Sequence, residues 1–361
     1  MAGLRAIVLA AGEGTRMRSQ RPKPLHHICG RPMVLHVIDA VSQLKVDRVV
    51  VVVGHEAEWV VKSLTDRSPP GLEIEFVEQP EQLGTGHAVS IALESFDVAD
   101  DDDDDVLIVP GDVPLLRSEI LTSLVDDHLA GGHALTVLTT TLDDPTGYGR
   151  VIHGRDGAVA RVVEELDASS EERGVHEVNT SIFLLKMALL GPALRRLDRT
   201  NSQSEYYLTD IVGVLYNAGH MTRASSTDDV AAVAGVNDRV QLAAAEAELR
   251  RRINERWMRR GVTMWDPAST YVDADVELAE DVSLLPGTIV KGACRIGAGA
   301  QVGPGALLVD VVVGAHAQVG TVHATSARIG EDAEVGSFSV LGPGTDVPSG
   351  ARIAPHSTLG L

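Results

Sequence analysis

Ala6-Ile7-Val8-Leu9-Ala10-Ala11-Gly12-Glu13-Gly14-Thr15-Arg16-Met17 stands near the start of this chain, with Arg21-Pro22-Lys23-Pro24-Leu25 shortly after it. Residues 6–9 form an apolar run suited to a parallel strand buried on both faces. Gly12 and Gly14 then let the backbone turn and approach a ligand closely. Their N–H groups can cradle phosphate oxygens, and Arg16 and Lys23 add two cations. Two better-known phosphate loops do not fit. A Walker A loop ends in Gly-Lys-Ser/Thr, whereas Gly14 is followed by Thr15-Arg16. A dinucleotide fingerprint places a third glycine where Met17 stands.

Outward from this loop, short apolar runs alternate with amphipathic stretches. Residues 6–9, 49–53, 74–77, 106–109 and 135–139 read as strands, and 32–43, 87–94 and 118–130 as helices. The alternation predicts an α/β fold, Rossmann-like, with a mainly parallel sheet. Ligands of such sheets sit beyond the carboxyl ends of the strands. The glycine loop and Pro110-Gly111-Asp112 both follow strands, so both belong at that edge. The acidic run 100–105 reads as a solvated loop before a strand, because adjacent like charges repel and cannot all converge on one ion.

Residues 237–260 are rich in Ala, Glu, Leu and Arg without Gly or Pro, and predict one long helix with Gly261 as its C-cap. From Tyr271 a six-residue period appears. Leu278, Leu284, Val290, Ile296, Val302 and Leu308 keep it, and Val313 and Val319 follow a one-residue slip. The register breaks across 321–327 and resumes at Ile329, Val335, Leu341, Val347, Ile353 and Leu359. Glycine follows many of these aliphatics. Three such hexads make one triangular coil of a parallel β-helix with the aliphatics stacked inside. The expected organisation is therefore an α/β domain over 1–236, a linking helix over 237–261 and a β-helix over 262–361.

The formal charge is 31 − 51 = −20, which argues against nucleic acid or an anionic membrane as partner. A phosphate ligand must then be held by local cations and a metal. Cys29 and Cys294 offer no metal spacing and read as two buried or inert thiols of a reducing cytoplasm. No secretory signal is expected from the N-terminal residues, and no apolar stretch approaches the ~20 residues of a membrane span.

Several segments carry candidate chemistry. Asp112 offers a hard oxygen for a divalent metal, or is a turn aspartate. Asn237 reads equally as a metal ligand or as the N-cap of the long helix. Within Gln79-Pro80-Glu81-Gln82-Leu83-Gly84-Thr85-Gly86-His87-Ala88, an amide and exposed backbone can read a base edge. The plainer alternative there is a glycine turn with a helix cap at Thr85. Gly149, Glu164, Asn179, Thr180, Tyr207 and Thr209 lie in polar segments able to bond sugar hydroxyls. His26, His27, His36, His55 and His87 receive no catalytic role, and His87 reads as a structural donor at a helix start.

The glycine string resembles the signature of sugar-1-phosphate nucleotidylyltransferases. Together with the later segments, in order, it is similar to the bacterial bifunctional N-acetylglucosamine-1-phosphate uridylyltransferase/glucosamine-1-phosphate acetyltransferase family. The resemblance implies transfer of UMP from UTP to N-acetylglucosamine-1-phosphate, with Mg²⁺ as cofactor, by a cytoplasmic homotrimer whose β-helix is left-handed. Two rivals remain: a transferase for another sugar-1-phosphate, such as glucose-1-phosphate with UTP or dTTP, and a non-catalytic sugar-nucleotide-binding scaffold.

Carried onto this sequence, the resemblance assigns Arg16 and Lys23 to catalysis. Leu9, Ala10, Ala11, Gly12, Gly14, Gln79, Gly84 and Thr85 go to the nucleotide. Gly111, Gly149, Glu164, Asn179, Thr180, Tyr207 and Thr209 go to the sugar, and Asp112 and Asn237 to the metal. The family's tyrosine before Gly111 is Pro110 here, its basic residue after Glu164 is Leu166, and its glycine after Asn179-Thr180 is Ser181. The family's β-helix continues beyond the position of Leu361 with the acetyl-transfer residues, and residues 338–344 hold no cation, so no acetyl transfer is expected.

Overall fold

The structure, a computed structural model, describes residues 3–360 apart from 55, 56, 66, 68, 70 and 97–103. His55 and residues 100–103 of the acidic run therefore lie outside the described residues. Two compact units emerge, Met1–His26 with Pro32–Leu242, and His27–Arg31 with Ala243–Leu361.

In the first unit, one sheet collects β1 (Leu4–Ala10), β2 (Arg48–Val53), β3 (Ile74–Glu78), β4 (Asp105–Pro110), β5 (Leu135–Thr141), β6 (Arg150–His153), β7 (Val159–Val163), β8 (Glu177–Lys186) and β9 (Thr222–Ser226). Its order is β9-β5-β8-β4-β1-β2-β3, with the β6–β7 hairpin carried on β8. β1 runs parallel to β2 and β4, while β8 runs antiparallel to both β4 and β5.

The runs of Val, Ile and Leu in β1, β2 and β4 follow from helices covering both faces. Ala6 and Val8 pack with α1 (Met33–Ser42), α2 (Ala57–Thr65) and, further along the sheet, α4 (Ser118–Gly131). Ile7, Val50 and Val52 face the other way, toward α3 (Thr85–Leu93), α5 (Met187–Leu194) and α6 (Asp210–Asn217). Alternate residues of one strand thus feed two cores.

The solvated reading of the acidic run fails at its last two members. Asp104 and Asp105 are buried. Asp104 accepts from the Gly3 N–H at 2.6 Å and from Arg5 Nε at 3.1 Å. Asp105 begins β4 and lies 2.9 Å from Lys186 Nζ and 3.2 Å from His128 Nε2. Burial works against its charge, but the bonds from His128 and Lys186 outweigh it and hold the carboxyl below its ordinary value. The neighbouring elements supply cations and donors that the local run of acids could not reveal.

In the second unit the hexads close into three parallel sheets among the described residues, of six, six and five strands. The stack fits the left-handed β-helix that the resemblance implied. Val290 pairs with Leu308, eighteen residues on, which is one full coil. Leu308 then pairs with Ala324, sixteen residues on, and Ala324 with Leu341. The apparent break at 321–327 is therefore a shortened coil with alanine in the aliphatic slot. The glycines have a steric cause: a Cβ on Gly314 would lie 2.4 Å from Glu331 N, and one on Gly330 2.4 Å from Ser349 N, in the next coil.

The predicted long helix is α7 (Arg239–Met258), and the boundary between the two units falls inside it. Gly261, at φ +91°, follows its end. Cys29 and Cys294 are buried free thiols, and burial pushes both up from the ordinary thiol range, with Glu246 adding to the effect at Cys29. Among the described residues no helix is long and apolar enough to cross a membrane.

Candidate active site

The carboxyl ends of β1, β3 and β4 open onto a cavity of about 570 Å³ in the first unit. Leu9, Ala10, Ala11 and Gly12 line it from β1 and the glycine loop, Gln79 from just past β3, and Gly84 and Thr85 from the start of α3. Gly111 and Asp112 come from the end of β4, and Gly149, Glu164, Asn179 and Thr180 from the β6–β8 region. Arg16, Lys23 and Asn237 complete the sequence-derived residues in its wall. Residues far apart in sequence thus converge at the edge where a parallel sheet places ligands.

Three candidates lie outside the lining. Gly14 shapes the loop behind it: its φ is +63°, and a Cβ there would sit 2.6 Å from Lys23 Cβ. Thr209 donates from Oγ1 to Glu164 Oε1 at 3.0 Å, so it orients a wall residue. Tyr207 is buried, and desolvation, with Asp167 and Glu164 nearby, pushes its hydroxyl up to about 12. These positions follow from side chains folding behind the wall, which spacing along the chain does not specify.

Lys23 joins the two candidate metal ligands. Its Nζ donates to Asn237 Oδ1 at 2.8 Å and forms a close ion pair with Asp112. The Val236 N–H donates to the Asp112 backbone oxygen at 2.8 Å, which holds the two segments together. The helix cap is Asp238, not Asn237: Asp238 Oδ1 accepts from the N–H groups of Val240 at 2.9 Å and Gln241 at 2.8 Å. Asn237 is thereby left with its side-chain oxygen facing Lys23. Gln241, absent from the sequence-derived set, accepts from the Asn237 N–H at 2.7 Å and also lines the cavity.

Two oxygens that already meet on one cation fit a divalent metal. Among the described residues no group of three or more His, Cys, Asp or Glu could hold one alone. A carboxylate and an amide, completed by phosphate and water oxygens, match the habit of Mg²⁺. The charges point the same way: the cavity wall has Arg16 and Lys23 as its cations against Asp112, Glu164 and Glu205. A triphosphate entering there needs further positive charge.

Another part of the wall is formed by Glu164, Asn179 and Thr180. Burial pushes the Glu164 carboxyl above its ordinary range, against the bond from Thr209, and the carboxylates of Asp210, Asp167 and Glu205 push the same way. The Asn179 N–H donates to Gly149 O at 2.9 Å, and its Oδ1 accepts from Ser181 N at 2.9 Å. Ser181 has φ +62°, the left-handed region that glycine occupies without strain. The substitution of serine therefore keeps a glycine-like backbone, braced by the Asn179 side chain. Thr180 Oγ1 donates to Leu138 O at 2.8 Å, so its proton is already committed. Thr85 does not cap α3; its Oγ1 accepts from Leu208 N at 3.1 Å, and Gly84 stands at the cap.

A family model for the MobA-like NTP transferase domain matches residues 6–182. Over 348 residues this chain is 46% identical to the bifunctional protein GlmU of Kineococcus radiotolerans, covering 96% of this chain and 70% of that one. It is 42% identical over 353 residues to the bifunctional protein GlmU of Shouchella clausii, covering 98% and 76%. The protein of the same name from Corynebacterium efficiens is 44% identical over 348 residues, covering 96% and 71%. Among solved structures, HddC from Yersinia pseudotuberculosis superposes with a TM-score of 0.51 at 18% identity, over 68% of this chain and 99% of that one. That likeness speaks for the fold alone.

Proposed function

The chain belongs to the family of the bifunctional GlmU proteins, and from that premise we propose how its cavity works. It is a nucleotidyltransferase that moves UMP from UTP to N-acetylglucosamine-1-phosphate, giving UDP-N-acetylglucosamine and pyrophosphate. The observation that carries this reading is the meeting of Lys23, Asp112 and Asn237 beside a glycine-loop cavity. In the reaction a phosphate oxygen of the sugar attacks the α-phosphorus of UTP. A phosphorus–oxygen bond forms, the bond to pyrophosphate breaks, and the bonding pair leaves with pyrophosphate.

The attacking oxygen is already anionic at neutral pH, so no general base is needed. The protein has to align two anions and offset their repulsion. The N–H groups of the glycine loop and the cations of Arg16 and Lys23 serve the triphosphate. Gln79, Gly84 and Thr85 face the base, and Gly149, Glu164 and Asn179 the sugar. The family uses a divalent metal. Here Mg²⁺ is the proposed ion, held by Asp112 and Asn237, and when bound it neutralises phosphate charge.

Residues 1–236 are assigned the transfer, 237–261 the link and 262–361 the β-helix. The assembly is proposed as a cytoplasmic homotrimer built on the β-helix, a shape with flat faces suited to packing copies together. Light scattering on the intact chain should return three times the monomer mass, and a monomer would refute it. Acetyl transfer is not proposed for these residues, because residues 338–344 offer no cation and Phe338 stacks on His356 at 5.3 Å.

Pyrophosphate release tests the main reading. The assay pairs UTP, CTP and dTTP with N-acetylglucosamine-1-phosphate and glucose-1-phosphate, with Mg²⁺ present or chelated. Turnover should be greatest for UTP with N-acetylglucosamine-1-phosphate and vanish on chelation. A stronger preference for glucose-1-phosphate would transfer the enzyme to the rival specificity. Nucleotide binding without turnover would leave a scaffold. Thiol release from acetyl-CoA with glucosamine-1-phosphate should stay at background.

A further inference from the structure

Gln79 follows β3, is 5% exposed and lines the cavity. Its Nε2 lies 3.1 Å from Gly84 O and 3.1 Å from His87 Nδ1. A backbone carbonyl only accepts, so the amide's NH₂ end must face Gly84. That leaves Oε1 as the other end. Among the described residues Oε1 has no hydrogen-bond partner, and it is not sealed away from solvent.

The second N–H of the same NH₂ group points at His87. His87 Nδ1 is also 3.1 Å from Glu81 O, which already accepts from the Leu83 N–H at 3.0 Å. A proton on Nδ1 would give Glu81 O a second bond but leave the Gln79 N–H facing a donor. A bare Nδ1, with the proton on Nε2, gives the Gln79 N–H its acceptor, at the cost of bringing its lone pair near Glu81 O, which keeps its bond from the Leu83 N–H. His87 does not line the main cavity but borders a separate one of about 420 Å³, so its action on a ligand passes through Gln79.

We propose that His87 is a positioning residue for nucleobase selection, holding the Gln79 amide so that Oε1 presents an acceptor to the base. A base edge with an N–H donor, as uracil has at N3, is accepted. Cytosine, whose N3 is an acceptor, meets a lone pair. Rotating the amide by half a turn would suit cytosine, but it would set Oε1 against both Gly84 O and His87 Nδ1. Without His87, Gly84 alone opposes that rotation. The proposal rests on the reading that the cavity takes a uridine nucleotide.

The test compares kcat/KM for UTP and CTP, with N-acetylglucosamine-1-phosphate and Mg²⁺, in the wild type and in H87A, H87Q and H87N. The wild type should prefer UTP. H87A and H87Q should lower the UTP-to-CTP ratio by about tenfold or more, because a misdirected polar group no longer rejects the wrong hydrogen-bonding pattern. The loss should fall mainly on UTP, at an unchanged melting temperature. H87N, whose Oδ1 stands near the place of the ring Nδ1, should restore most of the ratio. H87Q, which keeps side-chain bulk, covers the case in which H87A does not fold. Equal losses for both nucleotides, or no gain in H87N over H87A, would reduce His87 to a packing role and overturn the proposal. A wild type indifferent between UTP and CTP would instead overturn the uridine reading beneath it.

Discussion

Replacing Asp112 by alanine is expected to remove metal-dependent turnover to below detection. The carboxylate is one of two side-chain oxygens that converge on the Lys23 ammonium, the other being Asn237 Oδ1 at 2.8 Å. One amide oxygen is a poor substitute for a carboxylate toward a hard divalent cation, so the ion would lose its charged protein ligand. The fold should persist, because the bond that ties this segment to its neighbour uses the Asp112 backbone oxygen and the Val236 N–H. A melting temperature near the wild-type value, with no pyrophosphate release across a Mg²⁺ titration, is the expected result. Asp112→Asn keeps the shape and removes the charge, and should be nearly as inactive. Near-normal rates in either variant at ordinary Mg²⁺ would make Asp112 a turn residue and no more.

The sheet was legible where burial on two faces writes continuous aliphatic runs, as in β1, β2 and β4, and where a glycine loop marks the strand's end. β8 was not foreseen. Its sequence Glu177-Val178-Asn179-Thr180-Ser181 mixes polar wall residues with one left-handed residue, Ser181, where the register shifts, before the apolar Ile182-Phe183-Leu184-Leu185. The β-helix was legible from its period except at Ala324, where a short coil admits a small side chain and periodicity in large aliphatics vanishes. The site was readable as a set of segments because each flanks a strand or opens a helix. Its internal division was not. Nothing in the linear order says that Thr209 stands behind Glu164, that Asp238 takes the cap, or that Gln241 closes the wall. Those assignments depend on contacts between segments far apart in the chain.

Replacing Lys23 by alanine should lower kcat by on the order of 10²-fold or more, since it removes a fixed cation from charge that develops on the phosphates. The structure adds a second cost. Lys23 is the counter-ion of Asp112, and its side chain is 11% exposed against 25% for the aspartate. Alanine would leave a half-buried carboxylate facing the incoming triphosphate, so repulsion is added as attraction is lost. The loop should keep its shape, because its turn is made by Gly14 at φ +63° and by the Met17 N–H bond to Gly14 O at 2.8 Å. Lys23→Arg separates the two effects. It keeps the charge, but a wide planar guanidinium must fit where the Lys23 stem packs against Gly14. Its rate should lie between those of the wild type and the alanine variant, with the deficit in kcat and not in the KM for UTP. Wild-type turnover in Lys23→Ala at saturating UTP would remove Lys23 from catalysis and leave the glycine loop and Arg16 to bear the phosphate charge.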